Sequence, residues 1–301
     1  MADDTVAHAL SGAGGGVLST VVTYPLITLS TRAQTEATRA REDKTVQDEP
    51  DVNKKVSALH AAKQIIQREG ISGLYSGLES AIYGIGLTNF VYYYFYEGTK
   101  KLYRNPRGMS TLQTMGAGAI AGSATVVATN PIWVVNTRMT VKDGEKKSTY
   151  ATIKEILEKD GVLAFFAGIA PALVLVINPI LQYTVFEQLK KVVEKRRRLT
   201  AYDAFILGAI GKIVATSVTY PYITLKSRLQ VRKKDDKETN SNLIHGILQI
   251  IKKEGVSGLY KGINTKVLQS ALTAAFLFFF KEQLYAVAVA ILAVIRTIRR
   301  K

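Results

Sequence analysis

Nine residues recur three times in this chain, as YPLITLSTR at 24–32, NPIWVVNTR at 130–138 and YPYITLKSR at 220–228. Each copy places an arginine seven residues after a proline, giving the pairs Pro25/Arg32, Pro131/Arg138 and Pro221/Arg228. A second phrase follows each: EGISGLYSG at 69–77, DGVLAFFAG at 160–168 and EGVSGLYKG at 254–262. Two phrases in one order, three times over, mark a repeated unit of roughly a hundred residues. The units run 1–104, 105–198 and 199–301, the last with an apolar C-terminal extension.

The charges lie between the apolar parts of these units. Uncharged runs cover 9–31, 80–96, 108–137 and 161–186, and 204–225 is broken only by Lys212. A membrane-spanning helix needs about 20 mostly apolar residues, a length several of these runs reach. The sixth, 262–280, is weaker because it contains Lys266. The chain therefore reads as an all-α membrane protein with six spanning helices in three pseudo-symmetric repeats, each with a short surface helix. Its net charge of +16 suits anionic lipid headgroups or anionic solutes. The bases form no single stripe or helix face, which argues against nucleic acid. With no cysteine there is no disulfide framework and no thiol metal site. No nucleophile–base pair, metal cluster or P-loop points to an enzyme or calls for a cofactor.

In chain order, the first run carries Gly12, Gly14, Gly15 and Gly16, which suit close helix packing better than a phosphate loop. Pro25 falls inside the apolar pattern and bends that helix, as do Pro131 and Pro221 in theirs. Residues 34–56 read as a polar loop, and 56–68 as a surface helix with Val56, Leu59, Ala62, Ile65 and Ile66 at helical spacing. Leu78 to Leu102 is the second span, with Tyr92 to Tyr96 as an interfacial aromatic belt. The second unit repeats the plan with a surface helix near 149–158 and a span over 169–194, broken at Asn178-Pro179. The third has its surface helix at 242–253 and its last span from 262. The apolar stretch 283–295 either prolongs that helix or lies in the interface.

A lysine at bilayer depth costs about 2.5–3.5 kcal/mol by insertion scales, so Lys212 is a functional candidate, with Thr216 one turn on; the alternative is a side chain that snorkels to the interface. Lys266, Gln269, Ser270 and Thr273 form a polar stripe that should face a water-filled cavity. Asn89 and Gln182 face either that cavity or a neighbouring helix. The linker holds Lys190, Lys191, Lys195, Arg196, Arg197 and Arg198, a topology signal or a receptor-read address. MADDTVAHAL has no basic n-region and RTIRRK is not a peroxisomal tripeptide, so internal targeting is expected.

The paired phrases resemble those of the mitochondrial carrier family over nearly the whole chain. The resemblance implies a threefold pseudo-symmetric barrel around a cavity open alternately to each side. The family's acidic position after each proline is here Ile27, Trp133 and Ile223, and its basic position Ser30, Asn136 and Lys226. The ion-pair ring implied for that end cannot form, so closure must rest on apolar and hydrogen-bonding contacts. The opposite gate survives in part as Glu97/Lys100 and Glu187/Lys190, with Lys281 in the third repeat. The family's substrate level falls at Gln269 and Lys266, at Gly84–Gly86 and at Val174-Leu175. The proline phrases are similar to those of the family's peroxisomal branch, with the mitochondrial inner membrane as the alternative location. That likeness implies an antiporter of adenine nucleotides, ATP for AMP or ADP. The alternatives are another adenine-bearing cofactor (coenzyme A, FAD or NAD) and a membrane scaffold or biogenesis factor. Implied partners are the anionic solute, membrane lipid and a peroxisomal membrane import receptor.

Overall fold

The computed structural model describes residues 2–42, 58–102, 110–141, 147–198, 200–232, 243–276, 280 and 283–284. Among these the regular elements are all helical. In order they are α1 (Ala2–Glu42), α2 (Ala58–Glu69), α3 (Leu78–Leu102), α4 (Thr111–Val141), α5 (Thr149–Lys159), α6 (Ile169–Val174), α7 (Asn178–Glu194), α8 (Ala201–Val231), α9 (Leu243–Glu254) and α10 (263–276). Each repeat is a long proline-bearing helix, a short helix, a 3-10 turn and a second long helix, interrupted in the middle repeat.

The short helices fold back through one shared apolar contact. Leu29, Ile65 and Leu74 cluster in the first repeat, Val135, Ile156 and Phe165 in the second, and Leu225, Ile250 and Leu259 in the third. Each trio takes the residue four after the proline, the residue four before the phrase's acid and the residue five after it. The first and last glycines of each second phrase have positive φ: Gly70 and Gly77, Gly161 and Gly168, Gly255 and Gly262. A side chain is disfavoured there, which is why the phrase needs glycine at both ends. Between them Ile71–Tyr75, Val162–Phe166 and Val256–Tyr260 form 3-10 turns that periodicity alone does not predict.

The long helices form a ring. α3 packs along α4, and α7 along α8. α1 meets α10 through the Thr23 and Thr273 hydroxyls, 2.8 Å apart. Gln113–Val141, Val162–Glu194 and Ile206–Val231 are long and apolar enough to cross a membrane.

One expectation changes. The first helix does not end near residue 33 but continues to Glu42. Gln34 and Thr35 are buried in it, because Gln34 finds partners on α8 and the Thr35 hydroxyl bonds carbonyls of its own helix. The interruption expected in the fourth span at Asn178-Pro179 is a 3-10 turn, Leu175–Ile177, directly before these two residues. The proline then opens α7, where its missing N–H costs nothing. Most of the 283–295 stretch lies outside the described residues.

Candidate functional site

Each proline lies inside a continuous helix, α1, α4 or α8. Two residues earlier stands a threonine whose hydroxyl bonds the carbonyl four residues back: Thr23 to Ser19, Thr129 to Thr125 and Thr219 to Ala215, at 2.7–2.8 Å. Proline and back-bonded threonine both favour a bend in a helix, and the three helices carry the two at the same place.

They converge on the arginines. Arg32 forks onto Glu69 at 2.5 and 2.8 Å, Arg138 bonds Asp160, and Arg228 binds both carboxylate oxygens of Glu254. Each guanidinium thus ties its proline helix to the acid of its own second phrase. Its Nε donates elsewhere: Arg32 to the Thr140 carbonyl (3.0 Å), Arg138 to that of Gln230 (3.1 Å), and Arg228 to that of Gln34 (3.0 Å). Repeat one holds repeat two, two holds three, and three holds one.

Uncharged side chains fill in around this cycle. Asn136 Nδ2 donates to Tyr24 Oη (3.0 Å), the Gly77 carbonyl (2.8 Å) and Ser80 Oγ (3.1 Å). Gln34 Nε2 donates to Tyr220 Oη at 3.0 Å, and Ser227 Oγ to Gln34 Oε1 at 2.7 Å. Thr137 Oγ1 donates to Gln230 Oε1 at 2.8 Å. Neutral hydrogen bonds thus join the repeats at this end alongside the arginine pairs.

At the other end Lys190 pairs with Glu187 on its own helix, 3.8 Å away. Glu97 is exposed, while the Lys100 side chain and all of Lys281 lie outside the described residues.

Between the ends lies a cavity of about 580 Å3, lined by Tyr92, by α4 from Thr114 to Val126, by residues 172–183 and by Lys226. Lys226 is the only charged residue among that lining. Lys212 Nζ donates to Asn178 Oδ1 at 3.4 Å, and Asn178 Nδ2 to Thr219 Oγ1 at 2.7 Å. Lys266 is close enough to Lys212 and Lys226 for like-charge repulsion. Buried Gln269 donates through Nε2 to Thr273 at 2.9 Å, while its Oε1 is buried without a partner among the described residues.

The remaining candidates scatter. Leu175 lines the cavity; Val174, next to it, is half-buried. Gly84 packs under the Trp133 ring, where an added Cβ would stand 3.3 Å from it; Gly86 faces open space and Asn89 is exposed. Gln182 packs its backbone against Gly211 of α8. Sequence reasoning missed Tyr92 and Asn178 as site residues. It placed Tyr92 in a belt, whereas Tyr93 and Tyr94 are exposed and Tyr92 turns inward. Lys226 was assigned to the gate alone; its signal was the absence of an acid at the matching position of any repeat.

A mitochondrial carrier protein family model matches the chain three times in succession, at residues 2–107, 107–197 and 197–290. The chain belongs to the mitochondrial carrier family. It is 41% identical to the peroxisomal membrane protein PMP47B of Candida boidinii over 96% of this chain and 88% of that one. It is 33% identical to a peroxisomal nicotinamide adenine dinucleotide carrier of Arabidopsis thaliana, covering 93% and 95%. It is 31% identical to peroxisomal adenine nucleotide carrier 1 of the same plant, covering 98% and 95%. Members of this family are transporters, and the chain is a multi-pass membrane protein that these relatives place in the peroxisome.

Proposed function

We propose that this carrier exchanges adenine nucleotides, ATP for AMP or ADP, across the peroxisomal membrane by alternating access. One observation carries the reading: Lys212 and Lys266 lie within the helix ring with no acidic partner among the described residues. A cation at that depth is costly unless a cavity and an anion serve it. Gln269 Oε1 is an unused acceptor one turn from Lys266, suited to a solute N–H such as an adenine amino group. The interlocked arginine end supplies one closed state. A second reading, carriage of another adenine-bearing cofactor (coenzyme A, FAD or NAD), is favoured by the likeness to the dinucleotide carrier. Neither reading involves an enzymatic step.

Reconstitution in vesicles loaded with ATP, AMP, coenzyme A or NAD, followed by uptake of the labelled solute, separates these. Counter-exchange of ATP with AMP is the expected result. Uptake confined to coenzyme A or NAD selects the second reading, and no uptake of any solute leaves a scaffold role.

A further inference from the structure

We infer that Lys226, at the edge of this cavity, is a ligand for the solute's phosphates, and that the lining around it receives the solute's ring system. This rests on the reading of the chain as a carrier of phosphorylated solutes.

Lys226 stands five residues after Pro221, where the family places a base that pairs with an acid of a neighbouring repeat. Here Ile27, Trp133 and Ile223 hold the acidic positions, so that pairing is lost. The nearby acids are already engaged: Glu69 by Arg32, Asp160 by Arg138, and Glu254 by Arg228 and Lys261. Among the described residues Lys226 has neither an ion pair nor a hydrogen bond to its side chain. Its electrostatic neighbour is another cation, Lys266. Two partly buried ammonium groups that repel each other inside a helix ring need an anion between them.

The surroundings of Lys226 narrow the class of anion. The cavity it enters is otherwise mostly apolar and aromatic, with Tyr92, Leu175, Val176, Ile180 and Tyr183 among its walls beside Thr114 and Thr125, and its volume is that of a small-molecule site. One cation at the edge of such a space fits a solute with a flat apolar part and a phosphate part. Inorganic phosphate would leave the walls unused. Lys212 lies fourteen residues before Lys226 on α8, roughly 20 Å at 1.5 Å per residue. The cations therefore stand at two levels, which suits a solute carrying more than one phosphate.

The same position bears on gating. The α8 backbone at Lys226 abuts Gly168, where an added Cβ would stand 3.0 Å from the Lys226 carbonyl. Lys226 thus sits on the seam between the second and third repeats, two residues before Arg228 of the interlock. A phosphate held there acts on the part of the barrel that must part for the solute to leave.

The test uses purified full-length protein, measuring thermal unfolding with and without ATP, AMP, inorganic phosphate or phosphatidylserine, alongside vesicle uptake. Lys226→Gln and Lys226→Met, the latter keeping the unbranched stem, should unfold at or above the wild-type temperature because a repelling charge is gone. Both should lose at least tenfold in ATP affinity, whereas Lys226→Arg should stay within threefold of wild type. A lower unfolding temperature with wild-type ATP affinity in either variant would overturn the inference and leave the carrier reading intact. So would a wild-type response to phosphatidylserine or inorganic phosphate matching that to ATP. A wild-type protein that neither binds nor moves any phosphorylated solute would overturn both.

Discussion

The two working regions of this barrel obey different symmetries. At the arginine end the three repeats are interchangeable: three Arg–acid pairs, three Nε–carbonyl bonds to the next repeat, and three back-bonded threonines before three prolines. In the cavity the likeness ends. Lys212, Lys226 and Lys266 all come from the third repeat, whereas the walls around Lys226 come from the first and second. Closure needs equal contributions around a ring, so it tolerates symmetry. Binding an asymmetric solute needs a charged side and an apolar side, so it requires symmetry to be broken.

Breaking the symmetric end should have the largest effect. Arg228 and Glu254 side chains are only 9% and 4% exposed, and removing one partner of a buried pair typically costs about 3–5 kcal/mol. Arg228→Ala should lower the unfolding temperature strongly, and Arg32→Ala and Arg138→Ala should match it. A much milder loss at one of the three would show that the ring is not held equally.

Breaking the asymmetric region should spare the fold. Lys212→Ala and Lys266→Ala each remove a charged hydrogen-bond donor, an effect of about 1.5–3 kcal/mol on solute binding, or roughly tenfold to a hundredfold. Solute affinity by thermal shift and KM by uptake should both report it. Wild-type affinity in folded protein would remove those lysines from the site.

Asn136 tests whether neutral hydrogen bonds hold the closed end. Asn136→Leu removes the two N–H donors that serve these three acceptors and should weaken closure by about 2 kcal/mol, at about 1 kcal/mol net per donor. Labelling of an introduced cysteine from the arginine side should rise. Unchanged labelling would mean that the guanidinium cycle alone sets the barrier.

The smallest effect belongs to the basic linker, outside both regions. Arg197 binds both carboxylate oxygens of Asp203 at 2.6 Å, and Asp203 completes a capping box with Thr200 at the start of α8. The Arg197 guanidinium, with help from Thr200, holds the Asp203 carboxyl below the usual carboxylate range. A carboxyl depressed on folding stabilises the cap above the usual carboxylate pKa, and that contribution is lost as pH falls through the folded value. Amide exchange in the first turn of α8 should quicken only in acid, and Asp203→Asn should abolish that dependence. For targeting, replacing Lys195, Arg196 and Arg198 with Gln while keeping Arg197 leaves this cap intact. Loss of peroxisomal localisation in protein that still inserts is the expected outcome. Retained localisation would make the linker a topology signal.

Much of the architecture was legible in the residues, because membrane helices announce themselves through length and hydropathy. The second span was read as Leu78–Leu102 and has those limits, and the surface helices were found within one or two residues. The positions of the prolines, arginines and acids also followed from the repeat. The extension of α1 to Glu42 was not legible: its polar surface looks like a loop until Tyr220, Ser227 and Arg228 arrive from the third repeat.

By itself, then, the sequence determined the tripled plan, the spanning helices and the absence of family ion pairs, all of which are properties of local pattern. Only the tertiary structure decided what replaces those pairs. It did so by joining Arg32 to Thr140, Arg138 to Gln230 and Arg228 to Gln34 across 92 to 194 residues of chain. It also decided that Tyr92 and Lys226 face one cavity. Which face of a helix looks inward depends on the neighbours it packs against, and no periodicity within one helix carries that information.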